Sequence, residues 1–222
     1  MNKCVIFDMD GVIINSEPIH KICERKMFDL LGITVSEEEH TDMVGATDLT
    51  MWNRIEKSQE LPITIPRIIQ LKRSIYMDYL KNEVSLKPIP YVSELIADLQ
   101  KNEVILALAS SSPREQIEYI LTILNLKSYF HTIVSGEEVT SGKPHPEIFL
   151  KAAQQVKVDP KNCMVIEDSC NGVMAAKKAK MKCIAYSNPD SGIQNLNEAT
   201  LIIHSFKELS SKYILDLLEI TI

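Results

Sequence analysis

The chain has 222 residues, of which 45% are apolar, so it is long enough to bury a sizeable core in one large domain or two small ones. Its formal net charge of −6 argues against a nucleic-acid or anionic-membrane surface, because binding to phosphate backbones or anionic lipid requires an excess of lysine and arginine. An anionic substrate would therefore need a local basic site or a metal ion.

The five cysteines contain no CxxC pair, and three of them lie beside β-rich apolar runs, where a free cysteine behaves as a small hydrophobic residue. No basic and then apolar leader precedes the first predicted strand, and no apolar stretch approaches the roughly 18 residues that a membrane span needs. We therefore expect a soluble, cytoplasmic protein with no nucleic-acid or membrane partner, and we expect it to be a monomer.

The first predicted element is a strand over residues 4–7, a short and continuously apolar run. Asp8 and Asp10 follow it, and residues two apart in an extended chain project to the same side, so both carboxylates can reach one point beyond the strand end. Ligands of open α/β sheets bind at such ends, and Gly11 lets the backbone turn sharply there. Taken alone, the segment could instead be an acidic turn or a helix cap. A calcium loop is disfavoured, because the further ligands that it requires are missing.

The next segment, from about residue 16 to residue 87, contains no convincing strand and shows helical spacing punctuated by glycine and proline. Ser36 and Glu39 form the pattern of a capping box for one of its helices. We expect an all-helical domain over residues 16–87, inserted into a second domain made of residues 1–15 and 88–222. The two connections would allow a hinge.

Beyond the insert, short apolar runs alternate with segments of helical spacing, as expected for strands that helices cover on both faces. This alternation predicts an α/β fold with a doubly wound, Rossmann-like parallel sheet. The further predicted strands cover residues 104–109, 132–134, 163–166, 183–186 and 201–203, and the predicted helices cover residues 91–101, 114–126, 146–156 and 171–179.

Ser110 and Ser111 follow the second predicted strand and precede a helix that Pro113 could start. Their hydroxyl and backbone N–H groups would face the same sheet edge as Asp8, where they could hold an oxyanion. Simple helix capping explains a serine cluster equally well.

Lys143 lies between Gly142 and Pro144, in a loop whose path these two neighbours restrict. A lysine fixed in this way can hold a phosphate oxygen and balance the charge of crowded carboxylates. The alternative is a solvated lysine in a turn.

Glu167 and Asp168 end another apolar run and form a second acidic pair at the same predicted edge. Carboxylates clustered there repel one another unless a cation lies among them, and a set of oxygen ligands suits Mg²⁺. Asp168 and Ser169 could instead cap the next helix. The functional interpretation gains support from the order of the features, since acid pair, serine, lysine and acid pair each follow a β-type run.

These four segments resemble the motifs of the haloacid dehalogenase superfamily, in its phosphatase and phosphomutase branch with a helical cap inserted after the first strand. The resemblance covers nearly the whole chain. The four segments are residues 7–12 (FDMDGV), 109–111 (ASS), 142–144 (GKP) and 166–169 (IEDS).

The resemblance implies a role for each acidic residue. Asp8 would attack phosphorus to give an aspartyl-phosphate, and Asp10 would protonate the leaving oxygen and later activate water. Mg²⁺ would be held by Asp8, by the backbone carbonyl of Asp10 and by Asp168, with Glu167 nearby, so these four residues form the predicted metal site.

The resemblance also implies that Ser110, the N–H of Ser111 and Lys143 hold the phosphoryl oxygens, and it makes Lys143 a catalytic residue. In the helical insert, His20 resembles a histidine that lies on the hinge side near the general acid, although a lone histidine on an amphipathic helix is more often simply packed. Together with Gly45 and Thr47, His20 is a candidate cap residue for the substrate.

We therefore expect Mg²⁺-dependent hydrolysis of a small phosphorylated metabolite, with a sugar phosphate as the preferred class. Dehalogenation is disfavoured, because a halide leaving group needs no acid such as Asp10. The first alternative is a phosphomutase similar to β-phosphoglucomutase, and the second is a catalytically inactive phosphate-binding or signalling protein.

The sequence of the insert weakens the first alternative. Related enzymes carry an arginine a few residues beyond the cap glycine, whereas residues 46–49 of this chain read Ala-Thr-Asp-Leu. A mutase must bind a second phosphate in the cap, so the missing arginine argues against mutase activity. Arg54, Lys72 or Arg73 could replace it, or all three could be exposed helix charges.

Overall fold

The computed structural model describes residues 2–41, 43, 48–82 and 85–220. The chain divides into two compact units, one made of residues 1–15 and 86–222 and the other of residues 16–85. We call them the sheet unit and the helical unit. Gly45 and Thr47, which the sequence nominates as substrate contacts, lie outside the described residues.

The described part of the sheet unit contains one six-stranded sheet in which every neighbouring pair is parallel. The strand order is β3-β2-β1-β4-β5-β6, the order of a doubly wound fold, so the predicted fold class is confirmed. The strands are β1 (Cys4–Phe7), β2 (Ile105–Ser110), β3 (Thr132–Ser135), β4 (Cys163–Glu167), β5 (Lys182–Tyr186) and β6 (Leu201–Ile203).

Five α-helices of this unit connect or follow the strands in the described residues. They are α5 (Val92–Lys101), α6 (Arg114–Ile123), α7 (Glu147–Gln155), α8 (Cys170–Lys178) and α9 (Ser211–Glu219). β1 and β4 are buried along their whole length, which explains why they read as continuous apolar runs in the sequence. Side chains of α7 and α8, including Phe149 and Val173, pack with one face of the sheet in a single apolar cluster.

The helical unit contains four helices in its described residues, namely α1 (Glu17–Leu31), α2 (Glu37–Thr41), α3 (Asp48–Glu56) and α4 (Ile65–Asn82). An apolar cluster that includes Met27, Trp52 and Ile68 forms its core. The predicted capping box is confirmed, because Glu39 N–H donates to Ser36 Oγ at 3.1 Å and Ser36 N–H donates to a Glu39 carboxylate oxygen at 3.0 Å. Across the described part of the chain, none of the helices combines the length and the apolar character that a membrane crossing requires.

An ionic network joins the four helices of this unit, with one residue from each. Lys72 of α4 donates hydrogen bonds to Glu24 of α1 and to Asp48 of α3, and His40 Nε2 of α2 lies 2.6 Å from the other oxygen of Glu24. Burial alone would raise the pKa of Glu24, but His40 and Lys72 lower it from 4.5 to about 2. Lys72 is therefore a buried, paired residue, and the expectation of an exposed helix charge is wrong for this position.

Candidate active site

The central position of β1 brings the ends of three strands together. Phe7 lies opposite Leu108 of β2 on one side and opposite Ile166 of β4 on the other. The backbone N–H of Asp8 continues the ladder by donating to the carbonyl of Ile166 at 3.0 Å. The residues that follow these strands therefore meet at one edge of the sheet, as the sequence pattern predicted.

Three carboxylates converge at this edge. One oxygen from each of Asp8, Glu167 and Asp168 lies within 4.8 Å of the others, and all three residues are buried. The side chain of Asp10 is not a member of this trio, because its carboxylate contacts other partners. The structure thus separates the two aspartates of the first acidic pair.

Lys143 provides the positive charge beside the trio. Its Nζ lies 2.6 Å from Asp8 Oδ1 and 2.7 Å from Glu167 Oε1, and its side chain is only 7% exposed. Burial alone would lower the pKa of Lys143, but the carboxylates of Asp8 and Glu167 outweigh that effect and raise it. The alternative of a solvated turn lysine is wrong.

The acidic groups remain short of positive charge even with this lysine. Burial raises the pKa of Asp8 to about 7, helped by Glu167 and Asp10 and opposed by Lys143. Burial and the charges of Glu167 and Asp8 also hold the pKa of Asp168 well above its usual range. The raised pKa values of Asp8 and Asp168 indicate that the ionised forms of these two carboxylates need more positive charge than one ammonium group supplies.

Glu167 is held by the start of α8. Its Oε2 accepts hydrogen bonds from the backbone N–H groups of Asp168 and Ser169, both at 2.8 Å, and from Ser169 Oγ at 2.9 Å. Ser169 also caps α8 by accepting from the N–H of Gly172 at 3.0 Å, so the capping alternative holds for Ser169 while the Asp168 side chain lies in the trio. The sequence gives no direct sign that Ser169 does both.

Gly172 makes room for the carboxylate of Glu167. A Cβ at this position would lie 1.8 Å from Glu167 Oε1, which no side chain could tolerate without displacing the glutamate. Glycine is unfavourable inside a helix by roughly 0.5–1 kcal/mol relative to alanine, so its presence in the first turn of α8 is a signal of close approach. The glycine at residue 172 was visible in the sequence, but the sequence did not show that Glu167 is the group that approaches it.

Asp10 is surrounded by serines of the segment that follows β2. Its Oδ2 accepts hydrogen bonds from Ser112 Oγ at 2.7 Å and from Ser110 Oγ at 3.3 Å. Its Oδ1 is buried and has no hydrogen-bond partner among the described residues. Sequence reasoning missed the contribution of Ser112, although the serine cluster itself pointed to this edge.

The serine cluster does not serve as a helix cap in the structure. The residue at the N-cap position of α6 is Pro113, which makes no side-chain cap, and the N–H of Arg114 donates instead to Glu137 Oε2 at 3.1 Å. Ser110 is fully buried, and its Oγ also accepts a hydrogen bond from Ser112 N–H at 3.1 Å. Ser111 is exposed at the surface of the sheet unit. The serine side chains that could hold an oxyanion, those of Ser110 and Ser112, therefore lie beside Asp10. For Ser110, this is the sheet edge at which the sequence placed it.

His20 lies in α1 of the helical unit. Its ring stacks on that of Tyr76 in α4, with the ring centroids 4.5 Å apart and an angle of 20° between the planes. This contact agrees with the alternative interpretation, in which a lone histidine on an amphipathic helix is simply packed.

The sequence and the structure both match known proteins. The family model for haloacid dehalogenase-like hydrolases matches residues 5–186, which is most of the chain. The chain belongs to this family. The predicted family is thereby confirmed.

Three relatives define the branch. Hexitol phosphatase B of Escherichia coli O157:H7 is 32% identical over 223 residues, covering 95% of each protein. The phosphorylated carbohydrates phosphatase of Thermotoga maritima is 31% identical, covering 82% of this chain and 83% of the relative. The crystal structure of β-phosphoglucomutase from Clostridium difficile superposes with a TM-score of 0.82 at 26% identity, covering 98% of this chain and 97% of that one. The chain is thus an enzyme of the phosphatase branch, with phosphomutase as the alternative activity.

The acidic trio suits the divalent cation that haloacid dehalogenase-like hydrolases generally use. Three carboxylates against one lysine leave an excess of two negative charges when all are ionised, which one divalent ion would neutralise. The donor set is made of oxygen atoms, as Mg²⁺ prefers. Of the four predicted metal ligands, Asp8, Glu167 and Asp168 lie in this set, and Asp10 could contribute only through its backbone carbonyl.

Proposed function

We propose that this protein is a Mg²⁺-dependent phosphatase that hydrolyses a small phosphorylated carbohydrate through an aspartyl-phosphate on Asp8. The names of the two phosphatase relatives support the substrate class, since one refers to hexitols and the other to phosphorylated carbohydrates. The chemistry is supported by the arrangement of the sheet edge described above.

One observation carries the proposal: the two aspartates that follow β1 have different surroundings. Asp8 lies in the acidic trio and its Oδ1 accepts a hydrogen bond from Lys143, whereas Asp10 contacts neutral serine hydroxyls. Two carboxyl groups whose environments differ in this way can divide the roles of nucleophile and general acid. We assign the nucleophile to Asp8 and the proton transfer to Asp10.

In the first step, a carboxylate oxygen of Asp8 forms a bond to phosphorus while the bond from phosphorus to the leaving oxygen breaks. Asp10 donates its proton to that leaving oxygen, so the carbohydrate departs as a neutral hydroxyl. Because Oδ2 of Asp10 accepts from Ser112, Oδ1 is the atom that we expect to carry the proton.

In the second step, a water molecule attacks phosphorus and gives its proton to the ionised Asp10. The bond from phosphorus to the Asp8 oxygen breaks, which releases inorganic phosphate and restores both aspartates. Asp10 thus ends the cycle protonated and ready for the next substrate.

Positive charge is needed throughout, because a carboxylate must approach a phosphate. Mg²⁺, when bound by Asp8, Asp168 and the Asp10 carbonyl beside Glu167, would offset that repulsion. Lys143 supplies further positive charge. Its ammonium group has three N–H donors, and the described hydrogen bonds use two of them. The third could hold a phosphoryl oxygen, together with Ser110 and the N–H of Ser111.

The charges of the helical unit favour hydrolysis over phosphoryl transfer to a second site. Lys72 is the one buried cation among the three that could replace the missing cap arginine, and its hydrogen bonds go to Glu24 and Asp48. Two carboxylates neutralise Lys72, so this lysine offers little positive charge to a second phosphate. Arg54 and Arg73 are exposed.

The test is a phosphate-release panel with Mg²⁺ that includes hexitol phosphates, hexose phosphates, nucleotides and pyrophosphate. We expect release from the carbohydrate phosphates, and a loss of roughly 1,000-fold or more for Asp8→Asn because the nucleophile is gone. Asp216→Asn, the same change at an exposed residue of α9, serves as the matched control. Undiminished activity of Asp8→Asn would refute the mechanism.

A second assay separates hydrolysis from the mutase alternative. The protein is incubated with β-glucose 1-phosphate and a hexose bisphosphate activator, and glucose 6-phosphate and inorganic phosphate are followed together. We expect phosphate to accumulate faster than the isomer. Isomerisation that depends on the bisphosphate and outpaces phosphate release would establish the alternative instead.

A further inference from the structure

The segment that follows β5 contacts both acid-bearing segments of the site. We call residues 188–194 the bracing loop. Ser191 Oγ donates a hydrogen bond to Asp168 Oδ2 at 2.5 Å, and Asn188 Nδ2 donates one to the backbone carbonyl of Gly11 at 3.1 Å. One loop thus holds a side chain of the acidic trio and the turn that follows Asp8 and Asp10.

The bracing loop is itself tied in place. Asn188 Oδ1 accepts a hydrogen bond from Asp190 N–H at 3.0 Å, so the side chain of Asn188 is held at both ends. Gln194 donates to the Ser191 carbonyl at 2.8 Å and accepts from the N–H of Cys170 at 2.9 Å. Asn188 and Ser191 are both buried. These contacts fix the Ser191 hydroxyl relative to the start of α8, where Asp168 is located.

The turn and the acid that the loop holds are in close contact with each other. Gly11 has a φ of +76°, and a Cβ on it would lie 1.9 Å from Asp168 Oδ2. The same oxygen accepts the hydrogen bond from Ser191. Asp168 Oδ2 is therefore confined between the Gly11 backbone and the Ser191 hydroxyl, which fixes the orientation of the whole carboxylate.

We propose that Ser191 is a positioning residue of the metal site: its hydroxyl holds Asp168 Oδ2, so that the carboxylate keeps the orientation in which it lies beside Asp8 and Glu167 and could bind Mg²⁺. The inference rests on the proposed function for the identity of the cation. The hydroxyl acts by restricting rotation of the carboxylate, as hydrogen-bond partners of metal ligands do. This effect does not require Ser191 to touch the metal or the substrate.

The experiment is a calorimetric titration of the substrate-free protein with Mg²⁺, comparing wild type, Ser191→Ala, Ser191→Cys and Ser191→Thr. Loss of a hydrogen-bonding partner of a metal ligand weakens metal binding by roughly 10- to 100-fold, so we expect losses of that size for the alanine and cysteine variants. The threonine variant keeps the hydroxyl and should bind within about threefold of wild type. Ser187→Ala, a serine just before the loop, is the matched control.

Steady-state kinetics supply a second readout that a general loss of structure would not reproduce. In Ser191→Ala, saturating Mg²⁺ should restore most of kcat, because the metal site is weakened and the nucleophile is untouched. Thermal unfolding without metal shows whether each variant is folded, and Ser191→Cys, with a side chain of similar size and a weak donor, replaces the alanine variant if that one does not fold.

The outcomes separate this inference from the proposed function. Magnesium binding by Ser191→Ala within about threefold of wild type, or an equal loss in Ser187→Ala, would overturn the role of Ser191, and so would a wild-type protein that binds no Mg²⁺. Weakened binding in Ser191→Ala without phosphate release by the wild type from any substrate would leave the positioning role standing and refute the proposed activity.

Discussion

Ser112 Oγ donates a hydrogen bond of 2.7 Å to Asp10 Oδ2, and Gln116 Nε2 lies 3.3 Å from the same hydroxyl. The opposite oxygen of Asp10 is buried without a hydrogen-bond partner in the described parts of the chain. This arrangement fixes one oxygen of the carboxyl group and leaves the other for a proton in transit. We therefore expect Ser112 to position the proposed general acid.

We expect Ser112→Ala to lower kcat roughly 10-fold for a carbohydrate phosphate, because Asp10 loses its strongest described hydrogen bond and its orientation. The effect should be much smaller for p-nitrophenyl phosphate, whose leaving group needs little protonation. Steady-state kinetics on both substrates measure the contrast. Ser112→Thr should recover most of the loss. Equal losses on both substrates would show that Ser112 acts on something other than proton transfer.

Gly172→Ala tests the close packing of Glu167 against α8. A Cβ at residue 172 would lie 1.8 Å from Glu167 Oε1, so the glutamate must move away from Lys143 and its backbone donors. We expect the overpacking to lower the unfolding free energy by roughly 1–3 kcal/mol. We also expect the reaction rate to respond less strongly to added Mg²⁺. Asn171→Ala, at the exposed neighbouring position, should change neither property. Chemical denaturation and a Mg²⁺ titration of the rate provide the two measurements.

The ionic network of the helical unit predicts an acid-labile contribution to stability. The folded-state pKa of Glu24 is lowered from 4.5 to about 2, so its stabilisation is fully present above pH 4.5 and is lost as the pH falls towards 2. The shift corresponds to about 3 kcal/mol. Glu24→Gln lacks this contribution, so the difference in stability between wild type and variant should shrink between pH 6 and pH 3.

Trp52 makes that measurement specific to the helical unit. It is the single tryptophan of the chain and is fully buried in the core of this unit, so its fluorescence during urea unfolding reports the unit that contains Glu24. A difference that stays constant across this pH range would mean that Glu24 is not held ionised by His40 and Lys72. Glu38→Gln, at an exposed residue of α2, is the matched control.

The sheet was predictable because of how parallel strands are buried. β1 coincides with the predicted residues 4–7, since a strand covered on both faces must be apolar at every position. The convergence of Asp8 and Glu167 at one edge followed from the same logic, because the carboxyl ends of neighbouring parallel strands lie side by side. Local pattern and topology were sufficient for both.

The hydrogen-bond partners of each acidic residue could not be predicted from local pattern and topology. Asp8 and Asp10 were expected to reach one point, yet one contacts Lys143 and the other contacts Ser112, more than 100 residues along the chain in each case. Ser191 lies in a loop without regular structure, and nothing in its local sequence indicates the contact with Asp168. Hydrogen bonds between distant loops depend on how the whole sheet is assembled, which short motifs do not record.

Mg²⁺ should stabilise the folded sheet unit, because the acidic trio carries more negative charge than Lys143 balances. At a concentration 100 times its dissociation constant, one ion that binds only the folded state adds about 2.7 kcal/mol to the unfolding free energy.

The variant Asp168→Asn should differ from the wild type in its stability without metal and in its response to Mg²⁺. Without metal it should be more stable than wild type, because one repelling charge is gone, and it should gain little from Mg²⁺. Scanning calorimetry with MgCl₂, against NaCl of equal ionic strength, measures both. A wild-type protein that gains no more from MgCl₂ than from NaCl would show that the trio binds no cation, and its excess charge would then be relieved by protonation of Asp8 or Asp168, whose pKa values are already raised.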